Sequence, residues 1–424
     1  MNKVVCYPRS CEPESFEDNI MYIELLSNSK TKAPNIVSVG ARLLFELKKA
    51  KIVPTTHALD FALIALSIVA TDKIILRKDS PDGWTRNIDM TIYVCDANRW
   101  MSVREKMEIM LRFLSGDFWS LHFVPIVDKI IDFKYQNKLR EADCICMLSG
   151  GADSLVGAID LVSLKKSPLF VSQIFRGDAE NQKLFASRLG HDNLCQWSCS
   201  VNRSIESEDS TRARSIMFFA FALLSTCVVK AKRDGKKEII VPENGYMSLN
   251  IPLNANRIGS LSTKTTHPIY MTYLQGIWDD VGIDVNLVLP YLYKTKGEVL
   301  AECKSQSILK ETIYHSISCG KYRRHALQHC GVCVPCLVRR AAFLKAGLSD
   351  KTNKGYLNDN LKKANSSDVN AVAMAVKQVE LYGINRFIKS GLSFSTAEER
   401  DLLQGVVSRG IDELKELLRA HGVL

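Results

Sequence analysis

The feature that most constrains the fold is residues 142–165, where an apolar run enters a loop of small residues and a helical pattern leaves it. Residues 144–148 have the length and composition of a buried strand, and Ser-Gly-Gly-Ala-Asp-Ser follows at 149–154. Gly150 and Gly151 let the backbone turn tightly and approach a ligand. A helix beginning near Ser154 directs free N–H groups and its positive dipole end into this loop. The sequence therefore predicts an anion cradle suited to phosphate.

Polar side chains of this loop narrow the choice of ligand. Ser149 and Ser154 supply hydroxyl donors, whereas Asp153 is an acid in an anion site and predicts a bound Mg²⁺. The loop lacks the Gly-Lys-Ser/Thr of a Walker A motif and the G-x-G-x-x-G of a dinucleotide site. The pattern S-G-G-x-D-S after a strand resembles the PP-loop of the ATP pyrophosphatase superfamily. That resemblance implies ATP opened at its α-phosphate, and the alternative is an ordinary glycine turn.

Composition sets broad limits on the chain. Its 424 residues predict two or three domains, and a hydrophobic content of 46% supports substantial cores. The net charge of +10 favours acidic partners such as ATP, nucleic acid or an acidic protein without selecting among them. The start has no secretory pattern, and the longest apolar runs are too short for a bilayer. Thirteen cysteines, mostly scattered, indicate a reducing compartment, so we expect a cytoplasmic protein.

The first 140 residues predict a small α+β domain for binding a partner or substrate, without a catalytic signature. Residues 1–35 are polar and poorly periodic, which predicts only partial order. Two helices are expected within 36–70, and a third helix at 103–115. Strands are expected at 73–77 and 86–95, joined as a hairpin by a Pro-Asp-Gly turn.

From residue 141 the pattern alternates between strands and helices, which predicts a parallel sheet with helices on both faces over 141–310. Ligands of such sheets bind at the carboxyl ends of the strands. The expected strands are at 144–148, 169–175, 194–199 and 238–242, and the expected helices at 155–165, 179–189 and 211–229.

Several polar residues fall at these strand ends. Arg214, with Arg212, lies in the expected first turn of an apolar helix, where the helix dipole disfavours cations, and this predicts an anionic partner. The polar loop at 243–246 follows a strand and can meet a base or a substrate, and Asn244 and Gly245 are its candidate residues. Further on, Lys294 and Lys296 flank Thr295, a plausible N-cap.

The loop 257–268 is rich in hydroxyls and contains Arg257, Lys264 and His267. It is typical either of a mobile lid over a polyanion or of a plain surface excursion.

A cysteine cluster is the second strong signal. Cys319 is followed by Cys330, Cys333 and Cys336, with Gly and Pro residues that force a tight turn. Four thiolates at this spacing predict a closed, structural Zn²⁺ knuckle over 311–348, with an Fe–S cluster as the alternative. Arg339 and Arg340 follow the knuckle and are candidates for directing charge toward the ATP site.

The C-terminal extension, 349–424, predicts a linker at 349–365 and helices at 366–390 and 396–420. Thr396 and Glu399 form a capping box for the last helix. Its apolar face packs either on the chain's own core or on a partner. That face comprises Leu402, Leu403, Val406, Val407, Ile411, Leu414, Leu417 and Leu418.

The loop and the cysteines together resemble the 7-cyano-7-deazaguanine synthase (QueC) family over residues 142–348. The resemblance implies a PP-loop (adenine nucleotide alpha hydrolase-like) fold, ATP activation of a 7-carboxy-7-deazaguanine carboxylate, attack by ammonia, and zinc on the cysteines. The segments at 175–180 and 244–250 depart from the family's substrate motifs, so substrate identity does not carry over. The added regions look more like the QueC-like proteins of bacterial anti-phage systems, in particular those of the Qat system. A partner protein of that system is therefore implied.

The combined reading is an α/β ligase that adenylates a carboxylate for attack by ammonia or a protein amine, in anti-phage defence. The expected cofactors are ATP, Mg²⁺ and structural Zn²⁺. Two alternatives stay open: an ATP-binding assembly subunit without turnover, and a tRNA- or nucleobase-modifying enzyme. The residues expected to hold the nucleotide are Ser149, Gly150, Gly151, Asp153, Ser154, Asn244 and Gly245. The residues expected to act in catalysis are Asp153, Ser154, Arg214, Lys294 and Lys296.

Overall fold

The structure is a computed structural model that describes residues 1–29, 33–128, 130–175, 177–190, 193–202, 206–209, 212–230, 235–253, 264–388, 391–392 and 396–424. Its strands are β1 (Asn2–Pro8), β2 (Ile20–Ser27), β3 (Ile36–Gly40), β4 (Asn87–Val94), β5 (Phe118–Pro125), β6 (Cys144–Met147), β7 (Pro168–Gln173), β8 (Leu194–Trp197), β9 (Val201–Asn202), β10 (Lys237–Ile240) and β11 (Val285–Val288).

The helices alternate with these strands and then form a C-terminal helical region. They are α1 (Ala41–Ala50), α2 (Thr56–Ile74), α3 (Ala97–Ser102), α4 (Arg104–Ser115), α5 (Ala152–Ser163), α6 (Ala179–Arg188), α7 (Ser215–Thr226), α8 (Gly245–Leu249), α9 (Pro268–Val281), α10 (Lys296–Ala301), α11 (Gln306–Thr312), α12 (Val334–Lys345), α13 (Ser367–Tyr382), α14 (Ile384–Ile388) and α15 (Ala397–Ala420). Within the described residues, no helix combines the length and hydrophobicity needed to cross a bilayer.

The first sheet has the order β5-β4-β1-β2-β3-β9, in which β9 alone is antiparallel. The prediction of partial order for residues 1–35 is wrong, because β1 and β2 lie inside this sheet. The side chains of β1 and β2 become buried only because these strands pair with strands that are distant in the sequence. The predicted strand at 73–77 is also wrong, since α2 continues to Ile74 and a 3₁₀ turn follows at Arg77–Asp79. The expected hairpin does not form, and β4 pairs in parallel with β1 and β5.

Helix α2 joins the two halves of the molecule. It is buried around most of its circumference, because one side packs on the first sheet and another on α7. Phe61 and Ile64 of α2, Met90 of β4, Phe219 of α7 and Ile145 of β6 belong to one continuous buried cluster. A boundary near residue 140 therefore separates most strands of the two sheets, although β9 joins the first sheet from beyond it, and it does not separate two hydrophobic cores.

The second sheet has the order β11-β10-β6-β7-β8 and is parallel throughout. Alternate residues of β6 face opposite sides: Ile145 and Met147 join the cluster of α7, whereas Cys144 and Cys146 join a second cluster with α5. The predicted parallel sheet with helices on both faces is confirmed. The carboxyl ends of β6, β7 and β10 meet at one edge, where the loop at 149–154 begins.

The C-terminal helix α15 packs on the chain's own helices α8, α10, α12 and α13. The predicted capping box of Thr396 and Glu399 is confirmed. Of the two alternatives for its apolar face, packing on the chain's own core is the one observed, except at Leu402, which is 53% exposed. The helix predicted at 366–390 is instead divided at Gly383 into α13 and α14.

Candidate functional site

The loop between β6 and α5 is a preformed cradle. Gly150 has φ +90°, a left-handed conformation that favours glycine, and Gly151 is the N-cap of α5. The Ser149 hydroxyl donates to Ser154 Oγ at 3.1 Å, and the Ser154 hydroxyl lies 3.0 Å from the Gly151 carbonyl. Because α5 begins at Ala152, Asp153 and Ser154 lie in its first turn, where backbone N–H groups have no intrahelical acceptor.

Three predicted site residues from separate parts of the chain meet at this loop. Asp153 is only 4% exposed, and its Oδ2 accepts from Lys296 Nζ at 2.5 Å and from Asn244 Nδ2 at 2.9 Å. Asp153 Oδ1 is buried and has no hydrogen-bond partner among the described residues. An acceptor without a donor beside the predicted phosphate cradle fits a cation ligand.

Glu243 lies in the polar loop predicted at this strand end, but it was not among the predicted site residues. It lies three residues beyond the end of β10, and Asn244 Nδ2 is 3.4 Å from its Oε1. Loss of hydration and the nearby Asp153 carboxylate raise the pKa of Glu243 well above its ordinary value. Two acids beside one lysine thus favour the protonated form of Glu243, and a bound divalent cation would favour its carboxylate instead. The only signal in the sequence was an acid at the end of a strand.

Two cavities share the loop as a common wall. The larger, about 320 Å³, has aromatic and apolar walls that include Phe175, Phe218 and Phe219, with Arg214 at its edge. The smaller, about 190 Å³, is lined by Asp153, Glu243 and Lys296 on one side and by Ser318 and Pro335 on the other. An apolar chamber next to a charged chamber suits a ligand with a planar ring and a polyanionic group.

Two guanidinium groups lie against the same aromatic ring of the larger cavity. The Arg214 guanidinium is 4.5 Å from the Phe175 ring centroid, and that of Arg323 is 4.8 Å away. Arg214 precedes α7 as its N-cap residue, whereas Arg323 comes from the loop inside the cysteine cluster. The sequence analysis did not select Arg323, because nothing local relates residue 323 to this cavity.

Lys294 is not brought to the loop. Its Nζ lies 2.6 Å from the Glu302 carboxylate, and the ammonium lies over the ring of Tyr291. Thr295 is the N-cap of α10, as predicted, and it also forms a complete capping box with Glu298. The two lysines that flank Thr295 have different partners. Lys294 pairs with Glu302, whereas Lys296 contacts Asp153 of the loop at 149–154.

The predicted lid over the site lies partly outside the described residues. Arg257 and the rest of 254–263 are among the positions that the structure does not describe. Lys264 donates to the Phe113 carbonyl at 3.2 Å, and His267 caps α9. Among the described residues of this segment, Thr265 and Thr266 line the larger cavity. The described part of the segment is thus held by packing, and its two cationic candidates do not reach the loop.

Gly245 is explained by close packing. A Cβ at this position would lie 1.8 Å from the Leu292 carbonyl oxygen, and the Gly245 N–H donates to the carbonyls of Tyr291 and Lys294. We expect Gly245→Ala to reduce the free energy of unfolding by about 3 kcal/mol or more, because backbone must move. Gly276→Ala, in the middle of α9 with open space around it, should instead stabilise by about 1 kcal/mol. Urea unfolding of both variants measures the contrast, and equal effects would contradict it.

The four predicted metal ligands converge. The sulfurs of Cys319, Cys330, Cys333 and Cys336 all lie within 4.8 Å of one another and are buried. Backbone N–H groups of Lys321 and Cys330 point at the Cys319 sulfur, both at 3.4 Å. Hydrogen bonds from the neighbouring thiols hold the pKa of Cys330 below its ordinary value. This set could hold a metal such as zinc.

The cysteine cluster is mechanically tied to the loop. The Ile317 N–H donates to the Gly150 carbonyl at 2.9 Å, two residues before Cys319. Arg339 is fully buried and holds this segment through the Ser316 hydroxyl at 2.6 Å and the Ile313 carbonyl at 3.1 Å. The suggestion that Arg339 and Arg340 direct charge to the ATP site is wrong, because Arg340 pairs with Asp350.

Asp178 provides a test of the electrostatics of the larger cavity. Burial raises its pKa from 3.8 to about 6, although the Phe175 N–H and two arginines oppose this. A raised pKa means that the folded state binds the extra proton, so this group's contribution to stability falls as pH rises from 3.8 to about 6. We expect Asp178→Asn to be more stable than the parent by about 1–3 kcal/mol at neutral pH, and equal to it in acid.

The measurement is chemical denaturation of the parent and Asp178→Asn across that pH range. Glu180→Gln, at an exposed position in the first turn of α6, is the matched control and should show no such pH-dependent difference. A variant that is less stable at neutral pH would show that the ionised carboxylate is favoured in the fold.

Comparison with known proteins gives no family assignment. No protein-family model, curated protein or solved structure matches this chain. The chemistry of the site therefore has to be inferred from the loop, its carboxylates and the cysteine cluster.

Proposed function

We propose that this chain is an ATP-dependent ligase that adenylates a carboxylate and passes the acyl group to a nitrogen nucleophile. The observation that carries the proposal is the meeting of Asp153, Glu243 and Lys296 at the N-terminus of α5, beside the loop of Gly150 and Gly151. Cleavage of a nucleoside triphosphate needs hydrogen-bond donors for the phosphates, carboxylates that hold a cation, and a cationic group that neutralises charge. This site supplies all three.

Each group then has a defined role. Ser149, Gly150, Gly151 and Ser154 hold the pyrophosphate portion through hydroxyl and backbone N–H donors. Asp153 and Glu243 would hold Mg²⁺, which supplies charge neutralisation at the phosphate oxygens. Lys296, and Arg214 at the edge of the larger cavity, stabilise negative charge that develops on the phosphates.

The proposed reaction requires no oxidant or reductant. A carboxylate oxygen of the substrate attacks the α-phosphorus, and the bond to the β-phosphate breaks to release pyrophosphate. A nitrogen nucleophile then attacks the acyl carbon, and AMP leaves with the substrate oxygen as the nitrogen gives up a proton. Resemblance to the QueC-like family supports a 7-deazaguanine carboxylate as substrate, with ammonia or a partner-protein amine as acceptor and a place in anti-phage defence.

The direct test is product analysis by mass spectrometry. The full chain is incubated with ATP, Mg²⁺ and 7-carboxy-7-deazaguanine, with ammonia in one arm and the Qat-type partner protein in the other. AMP, pyrophosphate and a matching mass gain on one acceptor are expected. ATP binding without AMP in either arm would overturn this substrate assignment. Repeating the assay with a panel of other carboxylates then tests the ligase assignment itself.

One observation favours a second candidate, an ATP-binding assembly subunit without turnover. The Lys296 ammonium already lies 2.5 Å from Asp153 Oδ2, so one of the oxygens expected to face a cation is occupied. In an assembly subunit this pair would persist with ATP bound, and Mg²⁺ would not affect affinity. Nucleotide titrations with and without Mg²⁺ distinguish the two candidates.

A further inference from the structure

The C-terminal helix contacts the segment that carries Lys296. The Glu413 carboxylate on α15 accepts a hydrogen bond from the Thr295 hydroxyl and a second from the Gly297 N–H, the latter at 3.2 Å. Glu413 is 8% exposed and Thr295 is fully buried. Residue 296 thus lies between two anchored neighbours, at the first position of α10.

The local sequence is shaped around this contact. A Cβ on Gly297 would come within 2.5 Å of the Glu413 carboxylate, so glycine leaves room for the carboxylate to approach the helix start. The Thr295 hydroxyl also accepts from the Glu298 N–H at 3.1 Å. Arg409, one turn earlier on α15, pairs with Glu298 at 2.5 Å. Two side chains of α15 therefore hold the first turn of α10.

The contact continues directly to the site. Lys296 Nζ lies 2.5 Å from Asp153 Oδ2, and the Lys296 side chain is only 8% exposed. Any shift of the α10 backbone at 295–297 would move this ammonium relative to the loop. Misplacement of a charged group by about 1 Å can cost a large factor in rate.

We infer that Glu413 is a positioning residue: it fixes the start of α10 so that Lys296 meets Asp153. The C-terminal helix is then a required part of the site, although none of the six residues of the loop comes from it. The consequence for turnover rests on the proposed function, whereas the consequence for Lys296 does not.

The experiment compares the full chain with Glu413→Gln and Glu413→Ala. Glu416→Gln, one turn later on the exposed side of α15, is the matched control. Accessibility of Lys296 is measured by amine-reactive labelling and peptide mass spectrometry, relative to the exposed Lys310. ATP turnover and thermal unfolding are measured on the same samples. The near-isosteric glutamine variant serves as the decisive one if the alanine variant does not fold.

For Glu413→Gln we expect relative labelling of Lys296 to rise about fivefold, from local opening of the α10 start. Turnover should fall about 10- to 100-fold, through kcat more than KM. Glu416→Gln should match the parent in both. Unchanged labelling and turnover in Glu413→Gln would overturn the inference, as would an equal rise at Lys310. If the parent does not turn over ATP but labelling of Lys296 rises selectively, the inference stands and the proposed function fails.

Discussion

Asp153→Asn should lower AMP and pyrophosphate formation by about 10²- to 10³-fold while the chain still binds ATP. The amide keeps the size of the side chain and an oxygen that can accept from Asn244 Nδ2, now 2.9 Å away. It removes the negative charge that faces Lys296 and that would hold Mg²⁺. The serine hydroxyls and the N–H groups at the start of α5 remain, so nucleotide affinity should change much less than turnover.

The measurements are AMP release under saturating ATP and calorimetric nucleotide binding. Asp143→Asn is the matched control, because Asp143 lies just before the opposite end of β6 and accepts from the Ser167 N–H. It should keep full turnover. Circular dichroism must show Asp153→Asn folded, since an unpaired buried lysine costs about 3 kcal/mol or more. A folded Asp153→Asn that turns over ATP at the parent rate would contradict the assigned role.

Cys333→Ser should remove the metal and disable nucleotide binding together. Loss of one thiolate opens a four-sulfur set whose members now lie within 4.8 Å of one another. Apparent binding free energies of structural zinc are about 10 kcal/mol or more, comparable with the whole stability of a domain. We therefore expect less than about a tenth of the parent's metal content and a thermal midpoint lower by about 10 °C or more.

Nucleotide binding should also weaken, because the segment before Cys319 donates to the Gly150 carbonyl. Elemental analysis and visible absorption of the parent identify the metal, since a colourless zinc protein and a coloured iron–sulfur protein differ at once. Cys95→Ser, at an exposed cysteine outside the cluster, should retain the metal. Full metal content in Cys333→Ser would show that the four sulfurs are not the ligand set.

Local patterns predicted the elements that depend on local chemistry. The strand–loop–helix unit, the four cysteines and the caps at Thr295 and Thr396 are all present as predicted. In each case a turn, a cap or an apolar period within about twenty residues specifies the conformation. The parallel sheet followed from the alternation of strands and helices, which leaves few other arrangements.

Non-local contacts account for what the sequence did not reveal. Strands β1 and β2 are short patterns that become buried only when β4 and β3, respectively, pair beside them. Arg214 and Arg323 contact the same ring, that of Phe175, although they are far apart in the sequence. They meet only because the chain between Cys319 and Cys330 lies next to the larger cavity in the folded protein. Lys294 and Lys296 looked equivalent, yet the helix start between them sends one to Glu302 and the other to Asp153.

The sequence by itself determined the cradle at 149–154 and the cysteine set. Both depend on short stretches of chain, namely the backbone freedom of Gly150 and the spacing of the thiols. Only the tertiary structure decided which distant charges complete the site. Glu243, Lys296 and Glu413 come together through sheet order and helix packing. A buried charge is stable only where the fold supplies its partner, so its position is a property of the packed chain.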